Sequence, residues 1–135
     1  MNNFLVTGCA GFIGSHMVDI LMENNHNVVG VDKFTYASNT DNFKHHLKNG
    51  CMVSDTFKMY PFDICDHKDI EHIFNHNDID CIINFAAETH VDNSIKGSHE
   101  FITSNVQGVK TLLDVARNHN LPFCQISTDE VYGSI

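Results

Sequence analysis

Residues 6–14 read VTGCAGFIG, and three of the eight glycines in the chain, Gly8, Gly11 and Gly14, fall within this stretch. The apolar residues before it predict a strand, and the residues after it predict a helix. At such a turn Gly8 would permit tight folding, Gly11 would let backbone amides approach a pyrophosphate, and Gly14 would let the helix pack closely on the sheet. The helix N-terminus offers free N–H groups to phosphate oxygens. By itself the stretch also fits a close-packed turn without a ligand.

Apolar, strand-like runs alternate with helix-compatible segments along the rest of the chain. This alternation predicts an α/β fold in which crossover helices connect the parallel strands of a layered sheet. The predicted strands are Phe4–Thr7, Asn27–Val31, Phe57–Tyr60, Cys81–Phe85 and Phe123–Ile126.

Two predicted helices show clear apolar periodicity. The first runs from about Gly11 to Asn24, and the second, which is the longest, from about Ser98 to Asn118. Apolar residues and one histidine recur at helical spacing in the first helix, and apolar residues do so in the second. They are Phe12, Ile13, His16, Met17, Ile20 and Leu21 in the first, and Phe101, Val106, Val109, Leu112, Leu113 and Val115 in the second.

Composition limits the classes of function. With 135 residues the chain suits one domain, and its formal charge of −9 argues against nucleic acid or an anionic membrane as a partner. No apolar run is long enough to span a bilayer. The five cysteines form no C-x-x-C pair, so we expect buried thiols, no metal site and a cytoplasmic location.

Asp32 follows the second predicted strand, eighteen positions after Gly14. A carboxylate there would accept hydrogen bonds from the adenosine ribose and repel a 2′-phosphate, which favours NAD over NADP. Lys33, its neighbour, could soften that repulsion. A solvated aspartate at the end of a strand is the alternative interpretation.

Further polar and small residues follow the third, fourth and fifth strands. Asp63 could receive the adenine amino group or cap a helix, although Asp66 suits a cap better. Ala86 and Ala87 would leave space beside a cofactor. Because the carboxyl ends of parallel strands share one edge, we expect these residues, Glu88 and residues 128–130 to converge on one crevice with the glycine turn.

Six stretches together resemble the extended short-chain dehydrogenase/reductase family, specifically the nucleotide-sugar dehydratases of its NAD-dependent epimerase/dehydratase group. The resemblance covers essentially the whole chain and is most specific in ISTDEVYG, since related epimerases generally carry a serine-rich segment before V-Y-G. Two departures are Ser38, where glycine is frequent, and Asn93, where arginine is frequent. The stretches are VTGCAGFIGSH, VVGVDKFTYASN, FDICD, FAAETHVDNSI, FITSNVQGVKTLLDVAR and ISTDEVYG.

The resemblance implies three sets of site residues. The cofactor set would hold NAD, and the alternatives for Thr89 and Ser104 are a strand-end cap and a helix-surface serine. The substrate set, Thr89, His90 and Thr128, would contact a nucleotide-sugar such as dTDP-glucose, and His90 could otherwise be a packed strand-end histidine. The cofactor set comprises Gly8, Gly11, Phe12, Ile13, Gly14, Asp32, Lys33, Asp63, Ile64, Ala86, Ala87, Glu88, Thr89 and Ser104.

The implied reaction converts the sugar into a 4-keto-6-deoxy sugar by eliminating water across C5 and C6 while NAD stores a hydride. In it Thr128 would hydrogen-bond the C4 oxygen, Asp129 would act as the acid on the C6 hydroxyl, and Glu130 would remove the C5 proton. The two carboxyl groups then need different pKa values. The alternative for residues 129 and 130 is an exposed acidic turn.

The family's catalytic base is a tyrosine followed four positions later by a lysine, and no tyrosine of these 135 residues has that neighbour. Residues 1–135 are therefore expected to be an incomplete NAD-binding domain, a doubly wound Rossmann-type parallel sheet with strand order 3-2-1-4-5. It would lack the C-terminal strands and the nucleotide-sugar domain and be inactive alone. The long helix is a candidate for homodimer contacts. Another nucleotide-sugar enzyme of the family, an epimerase or decarboxylase, or a non-catalytic NAD-binding module, is the alternative.

Overall fold

Five parallel strands form one sheet in the order β3-β2-β1-β4-β5. The computed structural model describes residues 1–42, 46, 55–89 and 98–133. The prediction of an α/β fold with this strand order is confirmed. The first strand begins one residue earlier than predicted, and the fourth and fifth strands end one residue earlier. The strands are β1 (Asn3–Thr7), β2 (Asn27–Val31), β3 (Phe57–Tyr60), β4 (Cys81–Asn84) and β5 (Phe123–Gln125).

The helices lie in the crossovers between strands. The long predicted helix is confirmed, but it contains a π-helical segment, Thr103–Gly108, between two α-helical parts. Within the described ranges no helix is both long and apolar enough to cross a membrane. The α-helices are α1 (Phe12–Glu23), α2 (His67–His76), α3 (His99–Ile102) and α4 (Val109–Asn118), and short 3₁₀ helices span Thr40–Asn42 and Asp129–Tyr132.

Each face of the sheet carries its own apolar layer, because both faces of a parallel sheet are covered by crossover helices. On one face α1 packs against Val6, Val28 and Ile83. On the other face α2 and α4 enclose Leu5 and Ile82. Consecutive strand residues therefore point into opposite layers and are both buried, as in Leu5 and Val6.

The apolar periodicity in α1 identified the buried face only in part. Leu21 is buried, but Phe12, Ile13 and Ile20 are 77%, 64% and 52% exposed. The first turn of the helix meets the sheet through smaller residues, because it packs against the glycine turn and this contact fixes the rotation of the helix. The buried residues are Gly14, Ser15, Val18 and Leu21.

The predicted face of the long helix is also partly wrong, since Val106 and Leu113 are 62% and 46% exposed. A π-helical turn contains more residues than an α-helical turn and rotates the residues that follow it. Here it brings Gly108 against Ile64, whose Cδ1 would lie 2.5 Å from a Cβ on the glycine. The buried residues of this segment are Ser104, Gly108, Thr111, Leu112, Val115 and Ala116.

The expectation of buried thiols holds for Cys9 and fails for Cys124. Cys9 is fully buried beneath α1, whereas Cys124 is exposed on β5, the last strand of the described sheet. Cys65 and Cys81 are half-buried, and Cys51 lies outside the described residues. The fold therefore shields these thiols to very different degrees.

Polar side chains, those of Thr7 and Asn84 buried and that of Gln125 exposed, join the carboxyl ends of three strands. Thr7, Asn84 and Gln125 lie in register on β1, β4 and β5. The amide oxygen of Asn84 accepts hydrogen bonds from the Thr7 hydroxyl and from the backbone N–H of Ala86, and its Nδ2 donates to Gln125 Oε1 at 2.7 Å. Because a buried polar group without a partner is costly, this row fixes the relative height of the strand ends.

Candidate functional site

A cavity of about 430 Å³ opens at the carboxyl ends of the strands. All fourteen residues predicted to contact the cofactor line it, and so does Thr128. The cavity also includes residues that were not predicted to contact the cofactor, among them Thr35, Ala37, Ser38 and Phe62. The expected convergence on one crevice at this sheet edge is therefore observed for the described residues.

Glycines allow the chain to turn closely between β1 and α1. Gly8 has a φ of +65°, and a Cβ there would lie 2.8 Å from the backbone nitrogen of Ala86. A Cβ on Gly14 would overlap the carbonyl oxygen of Gly8, while one on Gly11 would lie 3.2 Å from that oxygen. Gly11 is the N-cap of α1 and has no side chain to cap the helix. The turn thus opens the first turn of α1 to the cavity, where Phe12 and Ile13 carry backbone N–H groups that have no partner within the helix, which suits a phosphate.

The Asp32 carboxylate lies beside this turn and is only 8% exposed. Its Oδ2 accepts the N–H of Ala10 at 3.0 Å, and its Oδ1 accepts the N–H of Phe34 at 2.8 Å and the hydroxyl of Ser38 at 2.6 Å. A carboxylate can accept about four hydrogen bonds. Asp32 is therefore a structural tie between two loops that keeps one acceptor position, on Oδ2, for a ligand hydroxyl.

Lys33 points its ammonium group toward the long helix. The Lys33 Nζ donates to Ser104 Oγ at 3.1 Å and lies 3.8 Å from Asp63 Oδ2. Ser104 is 5% exposed, so the interpretation as a surface serine is wrong. This engagement makes Lys33 less able to offset the charge of Asp32 than the sequence suggested.

Asp63 and Asp66 divide the roles that the sequence left open. Asp66 caps α2 by accepting the N–H groups of Lys68 and Asp69 at 2.9 and 3.3 Å. Asp63 accepts the N–H of Cys65 at 2.9 Å, lies 3.8 Å from the Lys33 ammonium group and lines the cavity. The helix cap is thus Asp66, as predicted, which leaves Asp63 for a ligand.

The Cys65 thiol lies at the same end of β3. Burial is the main reason that the pKa of Cys65 is raised to about 11. The nearby Asp63 raises it further, through a hydrogen bond with the thiol and through its negative charge. Its Sγ also donates to the carbonyl oxygen of Thr103 at 3.2 Å. The group is therefore a neutral thiol near pH 7 and not a nucleophile.

The loop after β4 is held by the π-helical segment. Asn105 Oδ1 accepts the N–H of Glu88 at 2.8 Å, and Asn105 Nδ2 donates to the carbonyl oxygen of Glu88 at 3.0 Å. The Glu88 side chain is 9% exposed, whereas Thr89 is exposed at the cavity wall. Sequence analysis missed Asn105, whose only signal is a polar residue inside a long helix.

The catalytic residues implied by the resemblance are only partly described. Thr128 is exposed and lines the cavity just beyond β5. The backbone of residues 129–132 forms a 3₁₀ helix, but the side chains of Asp129 and Glu130 lie outside the described set, as do His90 and Asn93. Their roles stay predictions.

These features fit a dinucleotide. The crevice combines an uncapped helix N-terminus, a turn whose close contacts admit only glycine, a buried carboxylate with one open acceptor position, and the small side chains of Ala86 and Ala87. The helix N-terminus and the turn would face a pyrophosphate, the carboxylate would face a ribose, and the two alanines would face a flat ring system.

The sequence model of the family described as GDP-mannose 4,6 dehydratase matches residues 5–135. A dTDP-glucose 4,6-dehydratase of Haemophilus influenzae is 40% identical over an alignment of 146 positions. The alignment covers 100% of this chain and 42% of the relative. The chain thus spans less than half the length of this curated relative.

Two solved structures resemble the fold closely. The dTDP-glucose 4,6-dehydratase of Bacillus anthracis in complex with NAD has a TM-score of 0.84 and 33% identity, covering 100% of this chain and 40% of that one. The UDP-glucose-4-epimerase of Stenotrophomonas with NAD and formylated UDP-arabinopyranose has a TM-score of 0.85 and 29% identity, covering 100% and 39%. The shared fold therefore does not separate dehydratase from epimerase.

The contact between Gly14 and Gly8 yields a stability prediction. In Gly14→Ala the new methyl group overlaps a backbone carbonyl that cannot move without shifting the turn, so we expect a loss of about 2 kcal/mol or more in the free energy of unfolding. The better helix propensity of alanine offsets only about 1 kcal/mol of the clash. Urea denaturation followed by circular dichroism measures the change.

Gly11→Ala is the matched control, because its methyl group would lie 3.2 Å from the same oxygen and needs only a small adjustment. We expect a loss below about 1 kcal/mol, the scale of a weakened N-cap. Equal stabilities for the two variants would contradict the close contact.

Proposed function

Because the chain belongs to the GDP-mannose 4,6 dehydratase family, we propose that it is the NAD-binding portion of a dTDP-glucose 4,6-dehydratase. One observation carries the proposal: Thr128, which begins the T-D-E sequence, borders the same cavity as the glycine turn and Asp32. A reacting sugar beside Thr128 would therefore lie in the same crevice as the dinucleotide.

The cofactor-binding residues divide by the chemistry of each part of NAD. The N-terminus of α1 and the glycine turn bind the pyrophosphate. Asp32 accepts a ribose hydroxyl, Asp63 accepts the adenine amino group, and Ala86 and Ala87 leave room for the nicotinamide. Bound NAD would supply a place to store a hydride during the reaction and to return it afterwards.

The substrate residues act on the sugar of dTDP-glucose. Thr128 hydrogen-bonds the C4 oxygen and, with Thr89 and His90, orients the sugar. Asp129 gives a proton to the C6 hydroxyl, which leaves as water, while Glu130 takes the proton from C5. This division requires a protonated and an ionised carboxyl group side by side.

NADH binding tests the cofactor site. We expect the chain to bind NADH, and to bind NADPH about tenfold more weakly, because Asp32 repels a 2′-phosphate. Ile13→Asp places a negative charge at the cavity wall near the pyrophosphate and is expected to weaken NADH binding at least about tenfold. Isothermal titration calorimetry measures all of these affinities.

Ile20→Asp is the matched control, since Ile20 is a similarly exposed isoleucine of the same helix that does not line the cavity. Its NADH affinity should stay within about twofold of the original, because the added charge lies far from the phosphates. Equal weakening by both substitutions would place the dinucleotide elsewhere.

An activity assay tests whether residues 1–135 can carry out the dehydration by themselves. None of the chain's tyrosines is followed four positions later by lysine, so we expect no 4-keto-6-deoxy sugar from dTDP-glucose and NAD. Absorbance of the 4-keto product in alkali and mass spectrometry measure the reaction. Product formation would contradict the proposal of an incomplete active site. Conversion to a C4 epimer without dehydration would favour the epimerase alternative that the fold similarity leaves open.

We also propose that the chain forms a homodimer through its long helix and functions in the cytoplasm. Ile102, Val106 and Leu113 are 58%, 62% and 46% exposed and lie four and seven positions apart, which supports an apolar contact face. The four described cysteines are free thiols, which supports a reducing compartment.

Sedimentation velocity tests the dimer. We expect twice the mass of one chain for the original protein and a single-chain mass for Val106→Asp, because the carboxylate would be desolvated in the interface. Ile20→Asp, an exposed position outside the long helix, should leave the mass unchanged. A single-chain mass for the original protein would contradict the proposal.

A further inference from the structure

Two loops face each other across the carboxyl end of β1. One follows β2 and carries Tyr36, and the other follows β4 and carries Glu88. Since β2 and β4 flank β1, and neighbouring strands are about 4.8 Å apart, the two loops start roughly 10 Å from each other. The Tyr36 hydroxyl donates to Glu88 Oε2 at 3.0 Å, so this hydrogen bond joins the two loops at the rim of the crevice, which Thr35, Ala37 and Glu88 line.

The loop after β2 holds Tyr36 in place. Asp32 accepts hydrogen bonds from the Ala10 N–H and the Ser38 hydroxyl, which ties the loop to the glycine turn. The Ser38 N–H donates to the carbonyl oxygen of Thr35 at 3.0 Å, which closes a turn with Tyr36 at its tip. The phenol is therefore presented by a fixed turn.

The loop after β4 holds Glu88 equally firmly. Both backbone polar groups of Glu88 are paired with the side chain of Asn105, and its own side chain is 9% exposed within the cavity lining. The hydrogen bond between Tyr36 and Glu88 links these two preorganised loops, while the Tyr36 ring itself remains 60% exposed. Removing the Tyr36 hydroxyl would break this link without emptying any core position.

We propose that Tyr36 is a positioning residue whose hydrogen bond to Glu88 latches the crevice across the dinucleotide. The inference rests on the proposed NAD site and adds to it a step in binding: the bond parts to admit the dinucleotide, closes across it, and parts again for release. The bond forms between two segments of the protein and uses no ligand atom. Because it must open before the dinucleotide enters or leaves, it slows association and dissociation alike.

Loss of the latch should change the rates of NADH binding and release with little change in affinity. Removing the hydroxyl in Tyr36→Phe leaves the ring and eliminates one hydrogen bond to a charged acceptor. We expect the association and dissociation rate constants for NADH to rise by a common factor of about three to ten, with the dissociation constant within about twofold. An ordinary ligand contact would instead raise only the dissociation rate constant and weaken binding.

Stopped-flow NADH fluorescence measures both rate constants. Tyr60→Phe is the matched control, because the Tyr60 hydroxyl accepts a hydrogen bond from Asn77 at 3.0 Å and this bond joins β3 to the residue after α2, not the two loops. It should leave both rate constants unchanged. Thermal unfolding of the variants identifies any general loosening, which would affect Tyr60→Phe as well.

The outcomes separate the two proposals. Parallel acceleration in Tyr36→Phe alone supports the latch. Normal NADH binding with unchanged rate constants in Tyr36→Phe, or a rise in dissociation alone, overturns the latch and leaves the proposed function standing. Failure of the original protein to bind NADH overturns the proposed function, and the latch with it.

Discussion

The close approach of Gly14 to the carbonyl oxygen of Gly8 is the constraint on which the rest of the site depends. It sets the rotation of α1, which is why smaller residues of that helix are buried while Phe12 and Ile13 face the cavity. The same turn brings Gly8 against the backbone of Ala86, so β1, α1 and the loop after β4 share one point of contact. A helix dipole aimed into the crevice is the chemical consequence of this packing.

Buried polar groups then fix the parts around that contact. Asn84 aligns the ends of β1, β4 and β5, and Asp32 ties the loop after β2 to Ala10. In both cases a polar group pays for its burial by satisfying partners from two segments. The residues that shape the ligand site are thus also structural, so their substitution confounds binding with folding. Exposed cavity residues such as Ile13 are better probes of ligand binding.

The π-helical segment connects the remaining wall to the scaffold. It turns Ser104 inward to receive Lys33, brings Asn105 to the backbone of Glu88, and seats Gly108 on Ile64. A regular α-helix over the same residues would not present these three side by side in this way. Short π-helical segments often occur at functional sites, and here the segment joins the loops after β2, β3 and β4.

The sequence by itself determined the glycine turn and the positions of the strands to within one residue, because these depend on local periodicity and on the residues a tight turn requires. The family resemblance implied the strand order and most of the cofactor-binding residues, but not Thr35, Ala37 and Phe62 of the cavity wall. Only the tertiary structure decided which helix faces are buried, since close backbone contact at Gly14 and the π-helical turn override the apolar periodicity. It also decided the partners of Asp32, Lys33 and Tyr36. Those hydrogen bonds join residues from different loops, and no pattern along the chain records how the loops meet.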